Sequence, residues 1–407
     1  MNKAALLGGT PVRNEPWPVY PRFGKNVEEA VLRSLHSNCL HPMFGKETPL
    51  FEQEFAAYHG VQEAAAFAHG TLAIQAALAA AGIGCGDEVI VPAYTYAASA
   101  GAAVDQNAIP VFADVEPKAQ GLDPNDFRKK ITSRTKAVVV VHANGYPADM
   151  DAIMPIAEEH SLIVIEDCSH AHGAEHRGRK VGTIGHIGAF SIQHKKNFPA
   201  GIGGIAITRD AAIGAEMRRI RNYEWHPVGH NWQTSELHSA ISRVILTELD
   251  AMNARRRENA GLLLAELGSV PGITALPGLP ETDPVFYNLI LEFNEEVTGL
   301  PRNLFIEALK AEGIPNIMFY VSLQRWPIFI KADMFGKGCP FSCPLHEGGP
   351  VNYQDVVTPV ADRICDHSNI EIKVQPTSGP LEMKQIAEAI HKVLNSRNEL
   401  LTLKETV

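Results

Sequence analysis

The sequence predicts an α/β protein with a large domain built on a mostly parallel sheet and a smaller C-terminal α+β domain. From about residue 50, helical patterns alternate with short apolar runs, most of them continuous. Continuous runs are typical of strands that helices cover on both faces. The pattern changes near residue 250, and a chain of 407 residues suffices for two cores. We therefore expect an N-terminal arm and large domain at 1–250 and a small domain at 251–407.

The elements follow in order along the chain. Four prolines, at positions 11, 16, 18 and 21, predict an irregular N-terminal arm. Repeated strand–helix–strand units then predict a layered domain whose ligands bind at the carboxyl ends of the strands. Its predicted strands are 88–92, 109–114, 136–142, 162–167, 187–192 and 204–208, and its helices 51–58, 71–81 and 151–160. A long helix at 235–267 leads to a strand at 285–293 and helices at 302–312 and 381–395.

Composition excludes several classes of protein. Lysine and arginine total 36, aspartate and glutamate total 46, and no long basic run offsets the net charge of −10. We therefore expect no nucleic-acid partner. The apolar stretch near the N-terminus is too short for a signal peptide or a membrane span. The six cysteines show no clear zinc spacing, so we expect no metal, no membrane association and reduced thiols in the cytoplasm.

A turn that suits a phosphate precedes one predicted helix. In Ala68-His-Gly-Thr71, a glycine and a hydroxyl residue lead directly into that helix. Free N–H groups and the positive end of the helix dipole attract anions there. Gly70 and Thr71 are therefore candidate phosphate ligands. For this segment alone, the simpler interpretation is that Thr71 is an ordinary N-cap.

Two further candidates follow predicted strands. Asp167 ends the strand at 162–167. A carboxylate there can keep the ring nitrogen of a pyridine cofactor protonated, or it can cap the next turn. Lys196 follows the strand at 187–192, and a lysine in a desolvated pocket becomes a nucleophile for Schiff-base chemistry. Lys195 competes for that role, and a surface charge is the simpler interpretation of either lysine alone.

The order of these features favours one class of enzyme. A phosphate turn, an aromatic residue, an aspartate at a strand end and a lysine roughly thirty residues later are arranged as in fold-type I enzymes of pyridoxal 5'-phosphate (PLP). We therefore predict a fold-type I PLP-dependent transferase whose cofactor forms a Schiff base with Lys196 or with its neighbour Lys195.

Several longer stretches carry a resemblance to a known family. They include Gly86-Asp-Glu-Val-Ile-Val-Pro-Ala-Tyr-Thr-Tyr96, Ile165-Glu-Asp-Cys-Ser-His-Ala-His-Gly-Ala174 and Gly182-Thr-Ile-Gly-His-Ile-Gly-Ala-Phe-Ser191. Over nearly its whole length the chain resembles the DegT/DnrJ/EryC1/StrS family of PLP-dependent sugar and aminocyclitol aminotransferases. The opening segments Leu6-Leu-Gly-Gly-Thr-Pro-Val12 and Trp17-Pro-Val-Tyr-Pro21 resemble the branch of scyllo-inosose aminotransferases and aminohydroxybenzoate synthases.

The resemblance implies roles for individual residues. Lys196 lies six positions after Phe190 and five before Gly201, where the family places the Schiff-base lysine. Asp167 matches the acid at the pyridine nitrogen. The other matches are cofactor contacts, namely Tyr96 stacked on the ring, His170 beside the ring oxygen, Gly70, Thr71 and Ser191 around the phosphate, and Asn231 reaching the phosphate of the partner subunit. Because the family shares sites between two subunits, a homodimer is implied.

Three departures from the family pattern concern the substrate. Ile202 stands where the family has glutamate, Gln233 where it has arginine, and His194-Lys195 where small residues are usual. These changes leave the matched cofactor residues in place. They therefore put the substrate, and with it the reaction, in question.

The resemblance predicts transamination. An amino donor, glutamate or glutamine in the family, supplies an amino group that a keto-sugar or keto-cyclitol then receives, as in aminosugar and antibiotic biosynthesis. Lys196 is the expected general base and acid. Two alternatives remain: a dehydration, isomerisation or other reaction on the same cofactor, and a non-catalytic PLP sensor. The acceptor, including whether it is a nucleotide sugar, does not follow from the sequence.

Overall fold

A computed structural model describes residues 3–224, 229–315, 320–333 and 337–403. Within these residues the chain forms one seven-stranded sheet and two three-stranded sheets. The strands are β1 (Glu63–Phe67), β2 (Glu88–Pro92), β3 (Ile109–Ala113), β4 (Thr135–Val141), β5 (Ile163–Asp167), β6 (Glu175–His176), β7 (Arg179–Lys180), β8 (Ile187–Ser191), β9 (Gly204–Thr208), β10 (Ile273–Ala275), β11 (Thr282–Asp283), β12 (Leu289–Phe293) and β13 (Asn369–Ile372).

Helices surround these sheets. They are α1 (Lys25–His36), α2 (Glu47–His59), α3 (Gly70–Ala80), α4 (Ala98–Asp105), α5 (Pro124–Lys130), α6 (Met150–Glu159), α7 (Ala211–Arg221), α8 (Glu236–Leu267), α9 (Glu295–Thr298), α10 (Arg302–Ala311), α11 (Pro327–Lys331), α12 (Pro359–Arg363), α13 (Pro380–Asn395) and α14 (Arg397–Leu401). Within the described ranges, no helix is both long and apolar enough to cross a membrane.

The large sheet has the strand order β1-β9-β8-β5-β4-β2-β3. Among its described strands only β9 runs antiparallel to its neighbours, β1 and β8, and the other pairs are parallel. The prediction of a mostly parallel α/β sheet is therefore confirmed. Because β4, β5 and β8 are parallel and adjacent, the residues that follow them meet at one edge, where such sheets bind ligands.

Both faces of this sheet are buried. On β2, the side chains of Val89 and Val91 pack in one apolar cluster with α3 and α4, while Ile90 packs in another with α5 and α6. Burial on both faces explains why the strand sequences are continuous apolar runs rather than alternating ones.

The C-terminal part has its own apolar core. The sheet β10-β12-β13 packs there against α10, α13 and the second half of α8, and Ala4 of the N-terminal segment joins it. On β13, Ile370 and Ile372 face this core, whereas Glu371 faces the large sheet through Tyr94. The predicted boundary at residue 250 falls inside the continuous helix α8, and the division into 1–250 and 251–407 stays a prediction.

One strand prediction was partly wrong. The strand predicted at 285–293 begins only at Leu289. Phe286 has a φ of 47°, which a strand does not accommodate, and Asn288 places its side chain in a buried polar cluster. The apolar residues of this segment are explained by burial and not by strand pairing.

Candidate active site

A cavity of about 590 Å³ lies where β4, β5 and β8 end and α3 begins. The fold brings together residues that are far apart in the chain at this edge of the sheet. Seven of the eight residues that the resemblance assigned to the site line the cavity: Gly70, Thr71, Tyr96, Asp167, His170, Ser191 and Lys196.

The eighth residue, Asn231, does not line the cavity. The backbone N–H of Ala68 donates to the Trp232 carbonyl at 2.9 Å, which fixes this segment beside the phosphate turn. Asn231 itself is exposed, and its backbone pairs with Asn222. Its side chain is therefore accessible to a second subunit, and its contact with a partner's phosphate stays a prediction.

The turn before α3 packs closely on the end of β8. A Cβ on Gly70 would lie 2.5 Å from the Ser191 Cβ, so only glycine fits. The first helical hydrogen bond runs from the Ala73 N–H to the His69 carbonyl at 3.2 Å, and no side chain caps the helix. Thr71 is therefore not the N-cap. The N–H groups of Gly70 and Thr71, which precede that bond, are available to an anion in the cavity.

Asp167 combines the two roles that the sequence left open. The Ser169 N–H donates to Asp167 Oδ1 at 3.0 Å, which caps the turn after β5. Ser99 Oγ donates to the other oxygen, Oδ2, at 2.8 Å. The carboxylate is only 5% exposed, and it still lines the cavity. Two donors thus hold a buried carboxylate in one orientation at the cavity wall.

Lys196 lies in the loop that joins β8 to β9. Backbone hydrogen bonds tie this loop together, including His194 N–H to Gly201 O at 2.7 Å, and Tyr20 donates its hydroxyl to the Lys196 carbonyl at 2.8 Å. Burial lowers the pKa of Lys196 to about 8, although the Asp167 carboxylate opposes this shift. Lys195 is exposed whereas Lys196 is half-buried, so the environment of a nucleophilic amine exists at Lys196.

His170 is held as a neutral imidazole. Its ring stacks on Tyr287 with 4.1 Å between centroids and 10° between planes. Burial lowers the pKa of His170 well below its usual value, and the nearby charges of Lys196 and Lys373 add to the shift. The Asn144 N–H donates to Nδ1 at 3.4 Å. The ring proton is therefore on Nε2, which can donate a hydrogen bond.

A closed ring of hydrogen-bonded, buried side chains lies behind His170. Tyr94 donates to Glu371 at 2.9 Å, Asn288 donates to Glu371 at 2.9 Å and to Asn144 at 2.7 Å, and Asn144 donates to Tyr94 at 2.8 Å. Burial raises the pKa of Glu371. This ring fixes Asn144, whose backbone φ is 54° and whose N–H contacts His170. It joins β13 of the small sheet to the end of the large one.

Sequence reasoning missed Tyr287, Ser99, Glu371 and Lys373. The strand Asn369–Ile372 was not predicted, although its alternation of polar and apolar residues is the usual signal of a half-buried strand. Tyr287 and Ser99 carried no signal, because only the tertiary fold brings them beside His170 and Asp167.

A second buried cluster resembles a metal site but has no free ligand atoms. His142, Glu166 and Cys168 lie close together. His142 Nε2 bonds Glu166 at 2.9 Å and its Nδ1 accepts the Ala148 N–H at 3.0 Å. Three backbone N–H groups of the 182–185 turn also donate to the two Glu166 oxygens. The cluster therefore stabilises the turn between β7 and β8.

One wall of the cavity is apolar. Tyr96, Ile202 and Val321 line it with exposures of 58%, 41% and 45%, and Tyr320 and Trp326 continue it. Ile202 belongs to the same loop as Lys196. Gln324 and Arg325, between Tyr320 and Trp326, do not line the cavity: Gln324 donates to Thr358 at 2.6 Å, and Arg325 pairs with Asp366 at 2.7 Å.

Comparison with known proteins decides the family. The model of the DegT/DnrJ/EryC1/StrS aminotransferase family matches residues 21–346. The chain belongs to this family. The aminotransferase is 37% identical to the L-glutamine:2-deoxy-scyllo-inosose aminotransferase of Streptoalloteichus tenebrarius, over 97% of this chain and 98% of that one.

Solved structures agree with this assignment. The aminotransferase superimposes on an aminotransferase from Psychrobacter cryohalolentis with a TM-score of 0.82 and 30% identity, over 94% of this chain and 100% of that one. It superimposes on DesI, solved in the presence of its TDP-sugar product, with a TM-score of 0.86 and 26% identity, over 100% and 99% of the two chains. Enzymes of this family depend on PLP, so the predicted PLP-dependent aminotransferase is confirmed.

The cavity fits the cofactor. The uncapped start of α3 and the Ser191 hydroxyl suit a phosphate. The buried Asp167 carboxylate suits a protonated ring nitrogen, and the Lys196 amine suits a Schiff base. These groups line one cavity at different points of its wall. Together they provide the contacts that the phosphate, the ring nitrogen and the aldehyde of PLP require.

Proposed function

We propose that this aminotransferase transfers the amino group of L-glutamine to a keto-cyclitol. The observation that carries the proposal is the whole-length similarity to a relative whose name gives this donor and a 2-deoxy-scyllo-inosose acceptor. Antibiotic biosynthesis is the setting in which such aminocyclitols are made. The sequence alone left the choice between keto-sugar and keto-cyclitol, and between glutamate and glutamine, open.

Lys196 and Asp167 are the proposed catalytic residues. PLP, when bound, accepts an amino group and withdraws electrons from the carbon that carries it. Lys196 would hold the cofactor, and Asp167 would keep its ring nitrogen protonated. Once freed, the neutral Nζ of Lys196 would take the proton from the α-carbon of the donor and would deliver it to the cofactor carbon that had carried Lys196. The lowered pKa of Lys196 supports this role, because at neutral pH the amine loses its proton more readily than an exposed lysine does.

The remaining site residues are proposed to hold the cofactor. Gly70, Thr71 and Ser191 would donate hydrogen bonds to its phosphate, and Tyr96 would lie against its ring. The neutral His170 would donate from Nε2 to its ring oxygen. Each of these proposals is supported by the position of the residue on the cavity wall.

A homodimer completes the proposed site. Asn231 is exposed, outside its own cavity, and next to the phosphate turn, as a residue that reaches into a partner's site must be. The exposed Tyr96, Ile202 and Val321 at the cavity mouth are apolar groups that a second subunit can cover. We also propose a cytoplasmic location, which the six free cysteines support.

An uncharged acceptor suits the cavity better than a nucleotide sugar. Among the described residues that line it, the lysines are Lys195 and Lys196, and no arginine is present. Diphosphates are usually bound by arginine forks or clusters of donors. The apolar wall around Ile202 instead suits the carbon face of a ring that lacks a hydroxyl group.

The alternative reaction on the same cofactor, such as dehydration, is less well supported. The retained Lys196 and the aminotransferase names of the relatives both favour transamination. Adding L-glutamine alone to the PLP-loaded enzyme tests the proposal, because transamination converts the cofactor to its pyridoxamine form. Adding 2-deoxy-scyllo-inosose must then restore the original absorbance. Restoration by TDP-keto-sugars instead would overturn the proposed acceptor.

A further inference from the structure

The active-site cavity shares a wall with a second, smaller one. The smaller cavity, of about 140 Å³, lies between the N-terminal arm and β13. Lys195 and Tyr287 line both cavities, and Lys373 lines the smaller one. The two cavities therefore meet at a junction that is lined by two lysines in addition to Lys196.

The position of Lys373 follows from the alternation of β13. Glu371 and Lys373 are two residues apart, so both point away from the apolar core that Ile372 enters. Lys373 Nζ lies 3.5 Å from the centre of the Tyr287 ring and donates to the Tyr287 carbonyl at 3.4 Å. Lys196 Nζ lies 5.0 Å from the same ring centre. The amine at Lys196 and the ammonium of Lys373 are thus separated by no more than the sum of these two distances.

Burial lowers the pKa of Lys373, and the charge of the Glu371 carboxylate opposes this shift. The two Glu371 oxygens nevertheless accept hydrogen bonds from Tyr94 and Asn288 rather than from Lys373. Within the described ranges, neither Lys195 nor Lys373 forms an ion pair with a carboxylate. A poorly solvated ammonium without a partner is costly, and a ligand anion compensates for it.

We propose that Lys195 and Lys373 form the carboxylate subsite of the amino donor. This inference rests on the proposed transamination and extends it. The α-carboxylate of an amino-acid donor is one carbon away from the amino group, which must take the place of the Lys196 amine. The carboxylate therefore lies within a few ångströms of that amine, next to the junction beside Tyr287 that Lys195 and Lys373 line.

The subsite also explains how one cavity serves two unlike substrates. The donor and its 2-oxo acid product carry a carboxylate, whereas a cyclitol is uncharged. Ammonium groups at one end of the cavity select the donor, and the apolar wall around Ile202 at the mouth receives the acceptor. Lys195 replaces the small residue usual in the family, so the subsite is a feature of this chain rather than of the cofactor machinery.

The test compares two ligands that differ by one carboxylate. Glutaramate is L-glutamine without its amino group, and glutaramide replaces the remaining carboxylate by an amide. We expect the PLP-loaded enzyme to bind glutaramate about 10- to 100-fold more tightly than glutaramide in calorimetric titrations, as expected for charge-assisted hydrogen bonds. Lys195→Met and Lys373→Met should each reduce this preference, and Lys195→Arg should retain most of it.

Matched measurements separate the subsite from general damage. Lys136→Met removes an exposed lysine at the start of β4 and should leave both affinities unchanged. In Lys195→Met, glutamine should form the pyridoxamine enzyme with a raised half-saturation concentration, while its return with 2-deoxy-scyllo-inosose keeps its rate. Equal affinity of the unmodified enzyme for the two ligands, or an unchanged preference in Lys195→Met, would overturn the proposal.

A wrong assignment of the acceptor would give a different experimental result from a wrong assignment of the carboxylate subsite. If no keto-cyclitol restores the cofactor, the titrations and the glutamine half-reaction still report on the subsite, and the return can be followed with the 2-oxo acid of glutamine. Because Lys195 is exposed, its Met variant is expected to fold even if the more buried Lys373→Met does not.

Discussion

Ser99 donates a hydrogen bond of 2.8 Å from Oγ to Asp167 Oδ2. The serine lies in the first turn of α4 and the aspartate ends β5, so this bond joins a helix to the strand end at the cavity. Both side chains are buried. Ser99 therefore acts on the cofactor site through Asp167, without lining the cavity itself.

Ser99→Ala is expected to weaken cofactor binding. The substitution leaves one oxygen of a buried carboxylate without its donor, which costs about 1.5–3 kcal/mol for a hydrogen bond to a charged group. The dissociation constant of PLP, measured by titration of the apoenzyme, should rise by about tenfold or more. Ser99→Thr, which keeps the hydroxyl, is the matched control. Unchanged affinity in Ser99→Ala would show that Asp167 is oriented without Ser99.

Gly70→Ala should damage the phosphate turn. The added Cβ would lie 2.5 Å from the Ser191 Cβ, so α3 or β8 must move, at a typical cost of about 1–3 kcal/mol. We expect a lower Tm and weaker binding of PLP. Gly101→Ala is a suitable control because its Cβ meets no atom within 4 Å in α4, and alanine stabilises a helix interior by about 0.5–1 kcal/mol relative to glycine. Equal Tm and equal PLP affinity of the two variants would contradict the proposed role of the phosphate turn.

The pH dependence of cofactor capture should report the pKa of Lys196. Only the unprotonated amine is a nucleophile, and burial lowers its pKa to about 8. The rate at which apoenzyme captures PLP should therefore rise with pH through a midpoint near 8, and fall below it as the amine is protonated. Stopped-flow absorbance measures this rate, and Lys195→Met should keep the same midpoint. A midpoint above 10 would mean that Lys196 is solvated like a surface lysine.

Glu371→Gln should loosen the wall behind His170. Tyr94 and Asn288 donate to different oxygens of Glu371, and glutamine replaces one of these oxygens by an NH2 group, so one donor of the buried ring loses its acceptor, at a cost of about 1–3 kcal/mol. Asn144 then holds His170 less firmly. Denaturant unfolding should show the loss, and the exposed substitution Glu388→Gln on α13 should not. A fully stable Glu371→Gln would show that the ring contributes little.

The sequence predicted the large sheet well because its signals are local. Continuous apolar runs marked β2, β4, β5 and β8 to within a residue or two. Strand β1 escaped, because Glu-Ala-Ala-Ala-Phe consists mostly of alanine, which has little preference for strands. It forms a strand because it pairs with β9, and no local sequence pattern predicts this contact.

The residues proposed to bind the cofactor were likewise predictable from spacing and resemblance. The residues that pack against them or hydrogen-bond to them were not. Lys196 and Asp167 follow strand ends and could be found in order along the chain. Tyr287 lies in a segment that resembled a strand, and Lys373 lies in the C-terminal part, where no motif was evident. Their proximity to the site depends on how the small sheet packs on the large one, which is long-range information.

The central claim is that Lys196, not Lys195, carries the cofactor. Borohydride fixes PLP covalently to the lysine that bears it, and peptide mass spectrometry then locates the modified residue within Gln193–Asn197. We predict the modification on Lys196, with Lys195 unmodified, and no fixation in Lys196→Ala. Modification of Lys195 in the unmodified enzyme, or fixation that persists in Lys196→Ala, would contradict the account.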